Sequence, residues 1–414
     1  MNRPLTPRTF RGTVLVPDGA TRSIRVQRDA LIVTDASGRI ATFGPAPAEC
    51  QEPETQPGTV WSPGFVDAHL HFPQTRVIGR SSGDLLRWLE RTVFPEEARF
   101  VETAYAASVA NEFCRSLVAH GTTCSAIYGS SHPEATAALF SALDRVGLRA
   151  TVGLTLMDQG APAAICLAAD VALSACEALI ARWHGHDEGR LRFAVTPRYA
   201  LSCSEELLRG AGELARRLDL PVQTHLSEMV AEVEAVGRAF PDRRDYLDVY
   251  DHFGLLNHRS IFGHCVWLND DAWARMAAAE ASCAHCPDSN AFLHSGTMPL
   301  HRARSHGVRV GLGSDIGAGR TFSMRRVASA AYDAAGLHGA PISAGEALYL
   351  ATAGGADALG LGGQVGRIAR GFDADLIAME IPDGLDDDAL LDHVVFRADA
   401  GLVKRVYVRG RLVV

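Results

Sequence analysis

Short apolar runs alternate with longer amphipathic stretches through the middle of the chain, roughly residues 61–365. An apolar run of about four to eight residues predicts a buried strand, and a 3.6-residue apolar period predicts a helix. The predicted strands are 61–69, 121–128, 148–156, 191–198, 220–226, 260–266, 281–286 and 308–314. The predicted helices are 101–119, 133–145, 170–184, 204–217, 228–239, 269–279, 299–306 and 322–337. Eight strand-then-helix units predict an α/β fold of the (β/α)8 TIM-barrel type.

An open, doubly wound parallel sheet is the rival architecture. That fold would call for a glycine-rich nucleotide-binding turn directly after its first strand. In this chain the first predicted strand runs instead into His69, Leu70 and His71. The pattern therefore favours the closed barrel.

Both ends of the chain have sequences typical of β-structure. Short runs rich in apolar and β-branched residues lie at 13–16, 23–26 and 30–33, and again at 374–377 and 404–408, with turn residues between them. Neither end has enough strands to form a stable sheet alone. We expect one small β-sandwich built from residues 1–60 and 366–414, with the barrel at 61–365.

Composition narrows the class of protein. The 414 residues are 47% hydrophobic and 21% charged, with a formal net charge of −8, which is ordinary for a globular protein and offers no basic face for nucleic acid. The chain start lacks the apolar core of a signal peptide, and no apolar run was expected to reach membrane-spanning length. Nine scattered cysteines are typical of reduced thiols. We expect a cytoplasmic protein without nucleic-acid or membrane partners.

Two histidines lie one residue apart at the end of the first predicted strand. Successive side chains of a strand point to opposite faces, so His69 and His71 project to the same face. Two imidazoles on one face can bind one metal ion, or they can be chance neighbours on a solvated edge. The apolar residues at 60–66 argue against an exposed edge, but the pair alone leaves the metal hypothesis open.

Further polar residues follow other predicted strands. His225, His264 and Asp315 come at the ends of the fifth, sixth and eighth strands, and the carboxyl ends of barrel strands meet on one face. Three imidazoles and one carboxylate, from His69, His71, His225 and Asp315, suit Zn²⁺ or Fe²⁺ with one position left open for water. An ion held in this way lowers the pKa of its water toward ~7.

Three residues have predicted roles in moving protons. Asp315 is expected to accept the proton of the water, and His264 to hydrogen-bond that water rather than bind the metal. Glu228, three residues after His225, can reach the reacting centre as a proton shuttle.

Seven segments carry a resemblance to a known family: "PGFVDAHLHFPQ" (63–74), "LLRWLERTVFPEEARF" (85–100), "VTPRYALSCSEELL" (195–208), "VQTHLSE" (222–228), "AHCPDSN" (284–290), "VGLGSDIGAG" (310–319) and "GLGGQVGRIARGFDADLI" (360–377). They resemble the metal-dependent amidohydrolase superfamily and, within it, the guanine deaminases. The resemblance covers about residues 60–380.

The resemblance implies hydrolytic deamination of guanine to xanthine and ammonia by a homodimer, in purine catabolism. It implies that His69, His71, His225 and Asp315 bind one divalent metal, zinc before iron, and that Glu228 and His264 act as described above. It also implies that Gln74 and Arg198 hydrogen-bond the purine edge, with Trp88 and Tyr199 as aromatic walls. A flat base with a polar rim suits such a pocket.

The chain has a single lysine, Lys404. Dinuclear members of the superfamily use a carboxylated lysine, usually on the fourth strand, to bridge two ions. The fourth strand here carries Arg198 instead, so one metal ion is expected. The scarcity of lysine also argues against a P-loop or a pyridoxal Schiff base.

Four residues depart from the guanine deaminase pattern: Met229, Asp288, His294 and Arg320. We expect them around the rim of the pocket, which leaves a pterin, isoguanine or an azapurine as alternative substrates. The other alternative is a non-catalytic metal-binding barrel.

Overall fold

The computed structural model describes residues 5–48, 53–54, 58–81, 84–397 and 401–413. Its centre is a barrel of eight parallel strands. The strands are Phe65–His71, Thr122–Tyr128, Arg149–Gly153, Leu191–Phe193, Val222–Leu226, Ser260–His264, Ser282–His285 and Arg309–Leu312. Short extensions at Thr155–Leu156 and Thr196–Pro197 pair with each other beyond the third and fourth strands. The predicted (β/α)8 barrel is confirmed.

The barrel is made of two four-stranded ladders that are joined at two seams. At the first seam, Val195 pairs with Val222 as an isolated parallel bridge. At the second seam, the backbone N–H of Asp315 donates to the carbonyl of His69 at 2.8 Å. The buried Asp67 carboxylate reinforces this seam, because it accepts hydrogen bonds from the N–H and hydroxyl of Ser314. Barrel closure therefore fixes two predicted metal ligands relative to each other.

Helices surround the barrel close to their predicted positions. They are Thr103–Ala119, Pro133–Val146, Ala169–Trp183, Glu205–Leu218, Val230–Ala239, Asp270–Ala278, Leu300–Ser305 and Met324–Leu337. Helices that the periodicity did not predict are Tyr246–His252, Pro287–Phe292, Ala344–Tyr349, Gly355–Ala358 and Asp387–Phe396. Most of these are shorter than two turns, too short for an amphipathic period to show.

A seven-stranded sheet combines both chain ends, as predicted. Its strands are Thr9–Asp18, Ser23–Thr34, Ile40–Pro45, Thr59–Pro63, Leu376–Glu380, Val403–Val408 and Arg411–Leu412. The sheet encloses its own apolar core, in which the Phe10 and Trp61 rings lie 4.7 Å apart between centroids. The predicted domain limits, 1–60 with 366–414 against 61–365, stay a prediction, and their outermost residues lie outside the described ranges.

The first predicted strand, 61–69, was placed wrongly at its start. Thr59–Pro63 belongs to the seven-stranded sheet, and the barrel strand begins only at Phe65. Gly64 separates the two, and a Cβ atom there would overlap the Thr123 side chain. The apolar pattern runs through both strands because both are buried, so it could not locate the break.

An irregular helical segment at Leu85–Val101 covers the carboxyl end of the barrel. At its start, the Asp84 side chain accepts a hydrogen bond from Arg87 N–H. The segment then forms short α-helices at Leu85–Trp88 and Phe94–Glu97, a π-helix at Leu89–Val93 and a 3-10 helix at Ala98–Val101. Five of its apolar side chains pack with others into a separate cluster: Leu85, Trp88, Leu89, Val93 and Phe94. We call residues 85–101 the covering segment.

One stretch, Ala163–Trp183, is long and apolar enough to cross a membrane, with a mean hydropathy of 1.9. The expectation that no run reaches this length was therefore wrong by composition. In the fold the stretch is a 3-10 turn and an outer barrel helix. Ala172, Cys176, Leu179 and Trp183 of that helix are buried in the core.

Candidate active site

Three histidine rings meet at the carboxyl end of the barrel. His69 and His71 end the first strand, and His225 lies near the end of the fifth. Each places a ring nitrogen within 4.8 Å of the other two, and the Nε2 atoms of His71 and His225 are 3.1 Å apart. The Tyr128 ring packs against all three, at centroid distances of 4.5 to 4.8 Å.

The Asp315 carboxylate lies beside this group. Its Oδ1 atom is 3.4 Å from His69 Nε2 and 3.3 Å from His71 Nε2. Asp315 follows the eighth strand with a left-handed φ of 49°, a strained backbone that the seam to His69 helps to hold. The four residues expected to bind a metal are thus gathered around one point.

The electrostatics of the group fit a cation. Desolvation lowers the pKa of His69 to about 4 and holds that of His225 well below its usual range. Burial alone would raise the pKa of Asp315, but the adjacent imidazoles of His69 and His71 hold it well below normal. Near pH 7 the group therefore presents imidazole lone pairs and a carboxylate to one another, and His69 Nε2 is buried without a hydrogen-bond partner. Such a set of acceptors needs a cation among them.

A second donor group, formed by His69, His264 and Cys286, also lies within 4.8 Å. Burial raises the pKa of the Cys286 thiol well above its usual range. A thiol that keeps its proton is a poor metal ligand. The three-histidine group with Asp315 fits a metal better.

Hydrogen bonds outside the group orient the imidazoles. His225 donates from Nδ1–H to the Arg198 carbonyl at 2.5 Å, and this tautomer leaves Nε2 free for a metal. His264 has the same arrangement, since its Nδ1–H donates to Asn290 Oδ1 at 2.8 Å. His264 Nε2 consequently faces the site, buried and without a hydrogen-bond partner.

Glu228 lies between His264 and the cavity. Its Oε2 atom is 3.4 Å from His264 Nε2, and its Oε1 accepts from the Ser295 hydroxyl at 3.2 Å. Burial raises the pKa of Glu228 to about 7. For His264 burial alone would lower the pKa, but the nearby Glu228 and Asp315 carboxylates raise it. Glu228 is therefore a carboxyl group able to give and take a proton near neutral pH.

Glu232 is a second carboxyl group at the site, and the sequence analysis missed it. Its Oε2 accepts from the backbone N–H of Glu228 at 2.9 Å and of Met229 at 3.3 Å, and its Oε1 accepts from the Tyr246 hydroxyl at 2.8 Å. It is the third residue of the helix Val230–Ala239, three after the N-cap Met229, the spacing at which a glutamate side chain reaches back to cap the start of a helix. Glu232 thus fixes the backbone that carries Glu228.

A cavity opens beside these groups. Its polar lining includes Glu232 and, of the predicted residues, His71, Gln74, Arg198, Tyr199, His225, Glu228, His264 and Asp315. Leu85, Trp88, Leu89, Leu293 and Ala318 supply the apolar lining. The Trp88 ring is held in place by its indole N–H, which donates to the Arg80 carbonyl at 2.7 Å. The cavity suits a small ligand with apolar faces and a polar edge.

Glu97 joins two of the predicted binding residues, and it too was missed. Its Oε2 accepts from Arg198 Nη1 at 2.6 Å, and its Oε1 accepts from Gln74 Nε2 at 3.2 Å. All three side chains are buried. The segment "FPEE" (94–97) was noted for its resemblance, but nothing in the local pattern indicated which glutamate turns inward.

The four departures from the family pattern do not line the cavity of the described structure. Arg320 forms an ion pair with Asp288, with Nη2 and Oδ1 at 2.6 Å, so these two departures compensate each other. His294 is exposed, and Met229 packs with the apolar cluster of the covering segment. We expected these four residues around the rim of the pocket. They lie outside the cavity lining, so they can affect the cavity only through neighbouring residues.

The sequence of residues 60–413 matches the model of a known family, described as "Amidohydrolase family". The chain belongs to the amidohydrolase family. The predicted resemblance is thereby confirmed, and the metal dependence of this family agrees with the donor group at the barrel rim.

Among related amidohydrolases, guanine deaminase of Escherichia coli (strain K12) is 36% identical over 97% of this chain and 94% of that protein. Guanine deaminase of Homo sapiens is 30% identical over 98% of this chain and 96% of that protein. A crystal structure of guanine deaminase from C. acetobutylicum, with bound guanine in its active site, has a TM-score of 0.92 at 28% identity. It covers 98% of this chain and 100% of that one.

Proposed function

We propose that this amidohydrolase removes the amino group of guanine by hydrolysis, giving xanthine and ammonia. One observation carries the proposal. A group of metal-binding donors and a proton-exchanging carboxyl, Glu228, border the same cavity as the buried pair Arg198 and Gln74. The guanine deaminases to which the chain is similar along almost its whole length support this substrate.

His69, His71, His225 and Asp315 would hold one divalent metal ion, with zinc preferred to iron. Three neutral imidazoles and one carboxylate are a donor set that both ions accept, and a mainly imidazole set with a position open for water is typical of catalytic zinc. When bound, the ion supplies a Lewis acid that makes water nucleophilic at neutral pH. The absence of a lysine near the site supports a single ion.

Proton transfer is assigned to Glu228, His264 and Asp315. Deamination requires that a ring nitrogen of the base gain a proton as water attacks the adjacent carbon, and that the amino group leave as ammonia. Glu228, whose pKa lies at about 7, can donate its proton to the ring nitrogen, regain a proton from the attacking water, and then donate that proton to the leaving amine. Asp315 can accept the proton of the attacking water, and His264 Nε2 can orient that water.

Arg198, Gln74, Trp88 and Tyr199 would bind the base. Among the described residues, the protein partners of the Arg198 guanidinium are bonded to Nη1, which leaves Nε and Nη2 for the carbonyl of guanine. Adenine carries an amino group where guanine has this carbonyl, so its binding would leave the guanidinium donors unpaired. The Trp88 and Tyr199 rings would cover the faces of the base.

The test is a steady-state comparison of ammonia release by the purified, metal-loaded protein. The panel comprises guanine, adenine, isoguanine, pterin and cytosine. Guanine is expected to have the highest kcat/KM. A kcat/KM for pterin or isoguanine well above that for guanine would overturn the substrate and leave the chemistry intact. Preference for adenine or cytosine would also overturn the assignment of Arg198.

A further inference from the structure

We propose that Glu97 is a positioning residue that orients Arg198 and Gln74 and cancels the charge of the arginine, so that the cavity accepts a neutral heterocycle and releases its more acidic product. The inference deepens the proposed function and rests on it. It assigns a role to a carboxylate that lies on the covering segment rather than on the barrel.

The geometry makes Glu97 the centre of a three-residue unit. Its two oxygens bind the two neighbours separately, one accepting from Arg198 Nη1 and the other from Gln74 Nε2. The Arg198 guanidinium also lies 5.4 Å from the centroid of the Phe94 ring, one turn earlier on the covering segment. The covering segment therefore contacts the Arg198 guanidinium twice, through the Glu97 carboxylate and through the Phe94 ring.

The carboxylate also fixes which way the Gln74 amide faces. Because the amide donates to Glu97 through Nε2, its Oε1 is the remaining atom, and it is buried without a partner. Oε1 lies against Gly317, which has a φ of 118° and where a Cβ atom would overlap it. Gln74 therefore has a hydrogen-bond acceptor without a partner, and it lines the same cavity as Arg198, whose guanidinium offers donors. A lactam edge, with a carbonyl beside a ring N–H, matches that pair.

The positive charge of the buried Arg198 guanidinium is a second reason to assign this role to Glu97. Arg198 and Glu97 are 3% and 5% exposed, and an unpaired guanidinium at that depth would attract an anion. The Glu97 carboxylate lies directly against this guanidinium, with Oε2 at 2.6 Å from Nη1. Glu97 is therefore the counter-charge of Arg198.

The cancelled charge of the Arg198 and Glu97 pair favours binding of the neutral substrate over binding of the more acidic product. Replacing the amino group of a purine by a second carbonyl gives a base that loses a ring proton more readily. An anionic product would be retained by an uncompensated arginine, whereas the Glu97 carboxylate repels it. The same carboxylate costs a neutral substrate nothing in charge repulsion, and it supplies the order of the two binding residues.

The test compares Glu97→Gln with Glu96→Gln in the metal-loaded protein. Glu96 is the adjacent residue and is equally buried, but it binds Tyr105 and Arg99 rather than the cavity residues. We expect Glu97→Gln to raise KM for guanine about 10-fold or more, with a smaller change in kcat. We also expect xanthine to inhibit this variant more strongly as pH rises through the ionisation of xanthine, which it should not do in wild type or Glu96→Gln.

Glu97→Asp separates the two parts of the role, and it serves if Glu97→Gln does not fold. It keeps the charge on a shorter side chain, so KM should rise while the pH dependence of xanthine inhibition stays like that of wild type. Equal KM changes in the Glu96 and Glu97 variants, or xanthine inhibition with one pH dependence throughout, would overturn the inference. If wild type releases no ammonia from guanine, the proposed function fails instead, and xanthine binding measured by calorimetry across the same pH range still tests the counter-charge.

Discussion

The two sides of the cavity are built in different ways. On one side, His69, His71, His225, His264 and Asp315 all lie at or just after the ends of barrel strands. On the other side, Gln74, Trp88 and Glu97 lie on a turn and on the covering segment, and their partner Arg198 follows the short strand extension Thr196–Pro197. Backbone ladders position the first set, whereas side-chain hydrogen bonds position the second. Changes on the strand side should therefore alter the chemistry, and changes on the other side should alter selectivity.

The largest expected effect is the loss of metal from the strand side. We expect His225→Ala to lose its tightly bound ion, and its activity with it, because three donors remain where the site needs four. Elemental analysis of the purified protein provides the measurement. The control is His285→Ala, a buried imidazole on the seventh barrel strand whose pKa burial lowers to about 3, and this variant should keep its metal. Two tightly held ions per chain in wild type would contradict the one-metal proposal.

Glu228→Gln should separate proton transfer from metal binding. The amide keeps the shape of the side chain but cannot exchange protons, so kcat is expected to fall by about 10²–10⁴-fold. Metal content should stay at the wild-type level. Activity within a few-fold of wild type would assign the proton transfer to another residue.

On the other side of the cavity, Arg198→Met should change selectivity and leave the metal in place. Guanine should lose far more kcat/KM than adenine, because only guanine offers a carbonyl to the guanidinium. Discrimination by buried hydrogen-bond donors can reach roughly 10⁴–10⁵, which bounds the effect. The double variant Arg198→Met with Glu97→Gln controls for the buried carboxylate that the single change leaves unpaired. Parallel losses for both bases would refute the comparison.

Stability should also depend on pH through Glu228. Its pKa rises from 4.5 to about 7 in the folded chain, chiefly through burial, so the folded state holds this proton more tightly than the unfolded state. The resulting stability is full below pH 4.5 and is lost as pH rises through about 7. The prediction concerns the free energy of unfolding of metal-free Glu228→Gln minus that of metal-free wild type. This difference should increase by up to about 3 kcal/mol between pH 4.5 and pH 8. Urea unfolding at the two pH values measures the gain, and a pH-independent difference would contradict it.

The smallest expected effect concerns the Asp288 and Arg320 pair, which ties the loop after the eighth strand to the helix Pro287–Phe292. The Arg320 side chain is 47% exposed, so solvent screens the pair. A double-mutant cycle with Asp288→Asn and Arg320→Ala should give a coupling free energy of about 1 kcal/mol. Guanine selectivity should stay unchanged, and a change in selectivity would show that the pair influences substrate binding.

The sequence by itself determined the barrel and the strand side of the site. A buried strand followed by an amphipathic helix is a local pattern, and eight repeats of it limit the topology to very few choices. Once the barrel is expected, any polar residue at a strand end, such as His225 or Asp315, must face the same rim. Residue type and position together were enough to predict a donor group for one metal.

Only the tertiary structure decided which buried charges meet. Glu97 and Arg198 are 101 residues apart in the chain, Asp67 and Ser314 are 247 apart, and Asp288 and Arg320 are 32 apart. No local periodicity encodes such pairs, because each member could as well face solvent in its own segment. Burial selects the partner, since a carboxylate or guanidinium removed from water must find an opposite charge or a hydrogen bond. The sequence therefore determined which side chains could do chemistry, and packing decided which charges hold them in place.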